Sequence, residues 1–336
     1  MNVCFYSAVE DDGLFERVGF YRDDIAALKK GGAQVVAAKS LGELFRSRPE
    51  MIVGYFYTKS IFAALFGRLV GARVILTGGA DQISPVLLSG GRLFVHRVFA
   101  FFCLVLAHRI LVSCTDDLIN FKRLCFGLAS LEKKLELENH VVIPSPLPRV
   151  INGDRIGKFD AFTLCWMGTV SNVRRKGVDR AVRLIGLLKE IGVNASLNIA
   201  GSDGPGRVFI ENLVKELDLV EQVHMLGPIS DDEKNRRFRR GHVYLQLSEY
   251  EGFGVAAAEA FFSGMVVVHS NMGGLSDVIG HHGLVLDPAI VECGDVVLIR
   301  KFYSDFVRYR IDPDFLERNL INYSIEMRSA AFYKNI

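Results

Sequence analysis

The sequence is short of several things, and each shortage removes a class of protein. No uncharged apolar run approaches the ~20 residues needed to cross a bilayer. The longest, residues 98–107, is bounded by Arg97 and His108. The opening Met-Asn-Val-Cys-Phe-Tyr reads as a strand and lacks the basic segment of a secretory leader, so no signal peptide is expected. Charge of either sign is not in excess: 40 Lys and Arg against 38 Asp and Glu give a formal +2, and no electrostatic case for nucleic acid follows. Six cysteines (Cys4, Cys103, Cys114, Cys125, Cys165 and Cys293) form no CxxC pair. Several lie in apolar runs, so buried thiols in a reducing cytoplasm are expected rather than disulfides or metal ligands. His108, His224, His269 and His281-His282 match no metal-site spacing, and no metal is expected. The run Gly201-Ser-Asp-Gly-Pro-Gly206 lacks both the lysine and serine of a P-loop and the GxGxxG spacing, and reads as a tight turn.

What is present is 336 residues, 50% of them hydrophobic, enough for two cores at about 150 residues per domain. Strand-like runs at 2–7, 33–38, 50–56, 73–76, 109–113 and 140–143 alternate with helical spacing, which implies a parallel sheet covered on both faces. Pro144-Ser-Pro-Leu-Pro148 and the polar stretch 152–160 interrupt the pattern, as a domain boundary would. It then restarts, with strands expected at 162–167, 196–200, 223–226, 243–247, 266–269 and 283–286. The expected fold class is α/β, two doubly wound Rossmann-like domains facing each other. Residues 1–148 form the first, 149–310 the second, and 311–336 a helical segment returning to the first. In such sheets ligands bind on the loops beyond the carboxyl ends of the strands.

Three of those loops carry chemistry. Glu251-Gly-Phe-Gly-Val-Ala-Ala-Ala-Glu259 joins the 243–247 strand to an alanine-rich helix. Its glycines sit where free N–H groups and the helix dipole hold an anion, and the two acids suggest that a hydroxylated ligand is bound as well. Gly168 to Gly177 follows a strand and presents Arg174, Arg175 and Lys176 to a phosphate; the alternative is a solvated basic turn. Asn271-Met-Gly-Gly-Leu275 is a second glycine loop after a strand.

Taken jointly, Gly168…Arg175-Lys176-Gly177, Gly201…Gly204-Pro205, Leu226-Gly227, Glu251-Gly-Phe-Gly…Glu259-Ala260…Gly264 and Gly273-Gly274…Asp277 resemble the nucleotide-sugar domain of family 4 retaining glycosyltransferases. Glu251…Glu259 corresponds to that family's E-x7-E motif. The likeness covers roughly residues 160 to 288, in order and spacing, whereas the first half is similar only in its βα pattern and in Thr77-Gly-Gly-Ala-Asp81. The resemblance implies the two-domain GT-B architecture and transfer of a hexosyl-type unit from a nucleoside-diphosphate sugar, with retained configuration and without a metal. No cofactor is implied, the sugar nucleotide being a co-substrate. Glu259 would accept from the ribose hydroxyls and Glu251 from those of the donor sugar. Gly252, Phe253, Gly254 and Val255 would offer backbone N–H groups, and Lys176, with Arg175, would neutralise the diphosphate. Gly168, Thr169 and Gly227 complete the donor set. Gly13, Gly78, Gly79 and Asp81 are the acceptor-side candidates, Asp81 also being a candidate catalytic residue or a plain turn residue. Three departures stand out. Thr169 replaces the family's arginine after the first glycine, with Arg174 or Arg175 as substitute. The first loop, Glu10-Asp-Asp-Gly13, has one glycine instead of a pair. Thr77 to Asp81 stands where many members have a histidine.

The acceptor implied is a glycan or lipid-linked glycan in cell-surface polysaccharide or lipopolysaccharide synthesis. The helix expected at 93–107 is apolar nearly all round. It reads as buried against the sheet, the alternative being contact with a membrane interface through Arg92 and Arg97. A cytoplasmic protein, at the inner face of the cell membrane on that alternative, is the expected setting. Two rival readings are a catalytically silent homologue that binds sugar nucleotide or supports a partner transferase, and a sugar-nucleotide epimerase of the same architecture.

Overall fold

The computed structural model describes residues 1–144, 162–309 and 311–334. The boundaries expected at 148/149 and 310/311 therefore touch residues outside the described ones. The chain divides into two compact units, Met1–Val141 with Ile321–Ile336, and Val142–Leu320.

In the first unit β1 (Asn2–Tyr6), β2 (Gln34–Ala38), β3 (Met51–Tyr55), β4 (Arg73–Thr77), β5 (Arg109–Val112) and β6 (Leu135–Leu137) form one parallel sheet in the order β2-β1-β3-β4-β5-β6. In the second, β7 (Phe162–Met167), β8 (Ala195–Ala200), β9 (Val223–Gly227), β10 (Val243–Gln246), β11 (Val266–His269) and β12 (Leu284–Val285) run β12-β11-β10-β7-β8-β9. Strands buried on both faces need continuous apolar runs, and β3 and β11 are buried at every position. The topology makes each unit doubly wound, as expected. In the second sheet the strand order reverses between β7 and β10, so the loops after these two strands, at 168–177 and 247–254, flank the position where such sheets bind ligands.

One expected strand is corrected. Residues 140–143 are not in the sheet; β6 lies earlier, with Ile110 opposite Leu135 and Val112 opposite Leu137. Arg109 explains the choice, because its guanidinium forks onto Glu136 at 2.7 and 2.9 Å. His140, Val141 and Val142 are buried beyond the strand, His140 by its ring against Ser113 Oγ at 2.8 Å.

The helix Ile325–Tyr333 packs on the helix Gly19–Lys30. Arg328 Nε and Nη2 donate to the two carboxylate oxygens of Asp24 at 2.7 and 2.8 Å, and Nη2 also to Thr77 Oγ1 at 3.0 Å. Both partners are fully buried, at 2% and 1% side-chain exposure. Burial works against the guanidinium's charge, and Asp24 more than offsets it, holding Arg328 above its ordinary range.

Residues 90–106 form the expected apolar helix, but it is not buried all round. Ala100, Cys103 and Leu104 face the core, while Phe94, Val95, Val98, Phe99, Phe102 and Val105 are exposed. No helix among the described residues is long and apolar enough to cross a membrane.

Candidate functional site

β10 and the two residues after it alternate sharply. Val243, Leu245 and Leu247 enter the main core of the second unit, and Tyr244, Gln246 and Ser248 point to the other face, also buried. Three polar side chains on one buried face require partners. The Tyr244 hydroxyl lies 3.1 Å from both the Met167 carbonyl and Gln246 Oε1. Gln246 Nε2 donates to Ser248 Oγ at 2.7 Å, and Ser248 Oγ sits 3.3 Å from the Lys176 carbonyl and from Glu251 Oε2. This row of hydrogen bonds runs from the end of β7 to Glu251.

Glu251 itself is gripped by Lys176, whose Nζ donates to its oxygens at 2.7 and 2.8 Å. Residues from two loops, 75 positions apart, thus meet at the reversal of strand order. The loops can come this close because glycines remove side chains where backbones touch. Gly177 has φ +69, and a Cβ there would lie 2.1 Å from the Leu247 carbonyl oxygen. Gly273 has φ +59, and its Cβ would lie 2.1 Å from the Glu251 carbonyl oxygen. The Gly274 N–H donates to that same oxygen at 2.7 Å.

The helix Val255–Phe262 begins at Gly254 with no side-chain cap hydrogen bond, so no capping side chain competes for the positive end of its dipole, at the turn that holds Glu251, Gly252 and the buried Phe253. Glu259, one turn in, is 8% exposed. Lys234 Nζ donates to its oxygens at 3.0 and 3.2 Å and reaches Asp231 Oδ1 at 3.2 Å. Burial opposes the charge of Lys234, but Glu259 and Asp231 together raise it above the ordinary lysine value. Burial first, and then the field of Glu251 and Glu259, push the Tyr244 phenol far up, so Tyr244 feels both carboxylates.

The other candidates fall as follows. Thr169 Oγ1 meets Ser202 Oγ at 2.8 Å, the Gly168 N–H donates to Ala200, and the Gly227 carbonyl accepts from Gly201. Arg174, a substitute for the missing arginine, is spent on Glu249 at 3.1 Å. The Arg175 carbonyl accepts from the Glu249 N–H at 2.9 Å. Lys176 is the cation brought onto Glu251. In the first unit the Gly13 N–H donates to Asp11 Oδ1 at 3.0 Å, Gly78 packs on the Tyr55 ring, and the Asp81 carboxylate lies beside Gly79. Among the described residues no group of three or more His, Cys, Asp and Glu is placed to hold a metal ion. Five of the six cysteines are buried and all are free.

Two residues of the site were not anticipated. Lys234 sits in the charged helix Asp231–Arg240, whose sequence reads as a solvated face. Arg180, 2% exposed, lies beneath the basic loop. It donates to the carbonyls of Arg174 at 2.7 Å and Leu247 at 3.2 Å, and to Glu292 at 2.7 Å and Glu249 at 3.2 Å. No local pattern marks either one, since both act across elements.

Two doubly wound α/β units, the second with its polar loops at the strand reversal, define the fold class of the GT-B glycosyltransferases. Residues 166–295 match the family model described as "Glycosyl transferases group 1". Over 153 residues, 44% of its own length, the chain is 29% identical to a component of the human phosphatidylinositol N-acetylglucosaminyltransferase. The chain spans well under two thirds of the length of the curated relatives it matches, 31% in the human case. Among solved structures, sucrose-phosphate synthase from Thermosynechococcus elongatus superposes with a TM-score of 0.73 at 15% identity, covering 98% of this chain and 96% of that one. Anabaena HepE in complex with UDP-glucose gives 0.71 at 13% identity, covering 99% of both chains.

Proposed function

We infer that the chain is a family 4 retaining glycosyltransferase. It moves a hexosyl-type unit from a nucleoside-diphosphate sugar to a glycan or lipid-linked glycan in cell-surface polysaccharide or lipopolysaccharide synthesis. The observation that carries this reading is the pair of lysine-gripped carboxylates, Lys176–Glu251 and Lys234–Glu259, on either side of an uncapped helix N-terminus. An entering diphosphate offers Lys176 a more highly charged partner than Glu251. Lys176 then neutralises the phosphate, and Glu251 is released to accept from the sugar hydroxyls. Glu259 accepts from the ribose hydroxyls. As the bond from sugar to phosphate breaks, charge grows on the leaving oxygen. Lys176, Arg175 and the N–H groups of Gly252 to Val255 stabilise it from fixed positions, without a metal. Gly168, Thr169 and Gly227 shape the nucleotide side. Gly13, Gly78, Gly79 and Asp81 belong to the acceptor side, in the cytoplasm, with contact to the inner membrane face. The human relative's name, which couples phosphatidylinositol to sugar transfer, supports a lipid-linked acceptor; the bound UDP-glucose of HepE supports the donor class.

The test is a thermal-shift screen of UDP-, GDP-, ADP- and dTDP-sugars, followed by turnover with the donor that binds. At 100 times its Kd a donor stabilises by about 2.7 kcal/mol. Glu259→Ala weakens donor binding, whereas Glu251→Ala abolishes transfer. Undiminished turnover in both variants refutes the reading. Donor binding with neither hydrolysis nor transfer favours the silent homologue, which the internally engaged Gly13 N–H also favours.

A further inference from the structure

Apolar residues exposed singly need no explanation, but grouped ones mark an interaction surface, and the first unit groups them on two neighbouring helices. On the helix Gly90–Leu106 the stripe opposite the core carries Phe94, Val95, Val98, Phe99, Phe102 and Val105, with Phe94 68% exposed. Their spacing of i, i+1, i+4, i+5, i+8 and i+11 keeps them on one side, with no polar residue among them. The helix Ile61–Val70 packs beside it and exposes Phe62, Leu65, Leu69 and Val70, with Leu69 at 77%. Beside the longer helix stands Phe126, 76% exposed, its ring 5.9 Å from that of Phe101. Its φ of +49 is a left-handed conformation, strained for a bulky residue. The fold therefore holds an exposed aromatic ring on a strained backbone.

The border of this surface is mainly cationic, with the exposed Glu132, whose charge reaches Cys125, as an acidic member near Phe126. From Met51 to Thr115 the sole acidic residue is Asp81, against Lys59, Arg68, Arg73, Arg92, Arg97 and Arg109. Of these, Arg68 and Arg92 are exposed within or beside the two apolar stripes, and Lys122 and Arg123 are exposed in the turn preceding Phe126. Lys134 binds the last carbonyls of the long helix, Leu104 at 3.1 Å and Val105 at 2.9 Å. A second copy of this chain would bring two cationic borders together. An anionic lipid surface matches both the apolar stripes and the charge.

We propose that the outward faces of the Ile61–Val70 and Gly90–Leu106 helices, with Phe126 as a protruding wedge, are the surface by which this chain lies on an anionic membrane. The proposal rests on the membrane contact inferred above and assigns it a place and a lipid chemistry. The apolar side chains enter the acyl boundary, and the arginines and lysines stay at the phosphates. No helix among the described residues spans the bilayer, so the binding is interfacial and reversible.

The test is co-sedimentation with vesicles of phosphatidylcholine alone and of phosphatidylcholine mixed with phosphatidylglycerol, at low and high salt. The wild type binds the mixed vesicles, and added salt weakens that binding as screening shortens the reach of the charges. The triple variant Phe94→Ser, Phe102→Ser, Phe126→Asn loses about tenfold or more in partitioning, since each phenyl withdrawn removes more than a kcal/mol-sized apolar gain; asparagine tolerates the left-handed backbone. Its thermal midpoint stays that of the wild type. Should it fail to fold, Arg92→Gln, Lys122→Gln, Arg123→Gln tests the border instead, and selectively weakens binding to the mixed vesicles. Undiminished binding in a folded triple variant overturns the surface while leaving membrane contact standing. Absence of wild-type binding overturns both. A dimer in sedimentation velocity that the triple variant dissociates, without vesicle binding, assigns the face to a second copy and likewise overturns the proposal.

Discussion

Replacing Arg328 by methionine tests how the helix Ile325–Tyr333 is fastened to the first unit. The substitution keeps the length and apolar stem of the side chain but removes three donated hydrogen bonds, two to Asp24 and one to Thr77. Asp24 is left with its carboxylate buried and its cation gone. Breaking a buried pair from one side costs about 3–5 kcal/mol, which for a unit of this size is a fall of roughly 6–20 °C in midpoint. Asp24→Leu with Arg328→Met should recover most of the loss, because an apolar pair of similar volume removes the uncompensated charge. The assay is thermal unfolding followed by near-UV circular dichroism of the tyrosines, which include the fully buried Tyr55 in the same unit. The single tryptophan, Trp166, is fully buried in the second unit, so its fluorescence follows that unit separately. A single variant within about 1 kcal/mol of wild type, or a double variant no better than the single, would refute the reasoning.

Two further outcomes are expected. Burial pulls both His140 and His269 down to about 4 from 6.5. Between those values the unfolded chain takes up protons that the native chain does not, so stability falls as pH drops from 6.5 to about 4, by at most about 3 kcal/mol per histidine; urea midpoints across that range check it, and an unchanged midpoint contradicts it. Gly273→Ala adds a Cβ against the Glu251 carbonyl, whereas Gly192→Ala, also at positive φ (+81), meets nothing within 4 Å. Gly192→Ala loses about 1–2 kcal/mol of stability to backbone strain; Gly273→Ala loses more, because its Cβ also meets a backbone carbonyl oxygen, and it alone loses binding in the sugar-nucleotide thermal-shift screen; equal binding in the two contradicts the close-approach argument.

Much of the second unit is legible in the sequence because its signals are local. A glycine between a strand and a helix, or an acid at a fixed distance from another, needs no knowledge of the rest of the chain. The strand reversal then brings Lys176 to Glu251, an encounter that loop order foreshadows but spacing does not encode. Lys234 is illegible for a physical reason. It stands among Asp231, Asp232, Glu233, Arg236 and Arg237, where every charge has a neighbour of opposite sign within a turn of the same helix, and its bond to Glu259 arises only from packing between helices. Residues 140–142 misled because burial and β-branching are shared by strands and by segments tucked beside them. The 90–106 helix misled in the other direction, since all-round apolarity is the mark of burial in water and equally of contact with something other than water. Asp24, Thr77 and Arg328 lie up to 304 positions apart, and no window along the chain contains them together.

The return of the chain's last helix to the first unit also sets a schedule for synthesis. The second unit ends at Leu320, so its residues are contiguous in time as well as in sequence. The first unit cannot close its core around Phe332, or satisfy Asp24, until residues made almost two hundred codons after Val141 have emerged. At about 5–20 residues per second that is a wait of roughly 10–40 s. During that interval the apolar underside of the Gly19–Lys30 helix lacks its cover, and the first unit must be kept from aggregating while the second is made.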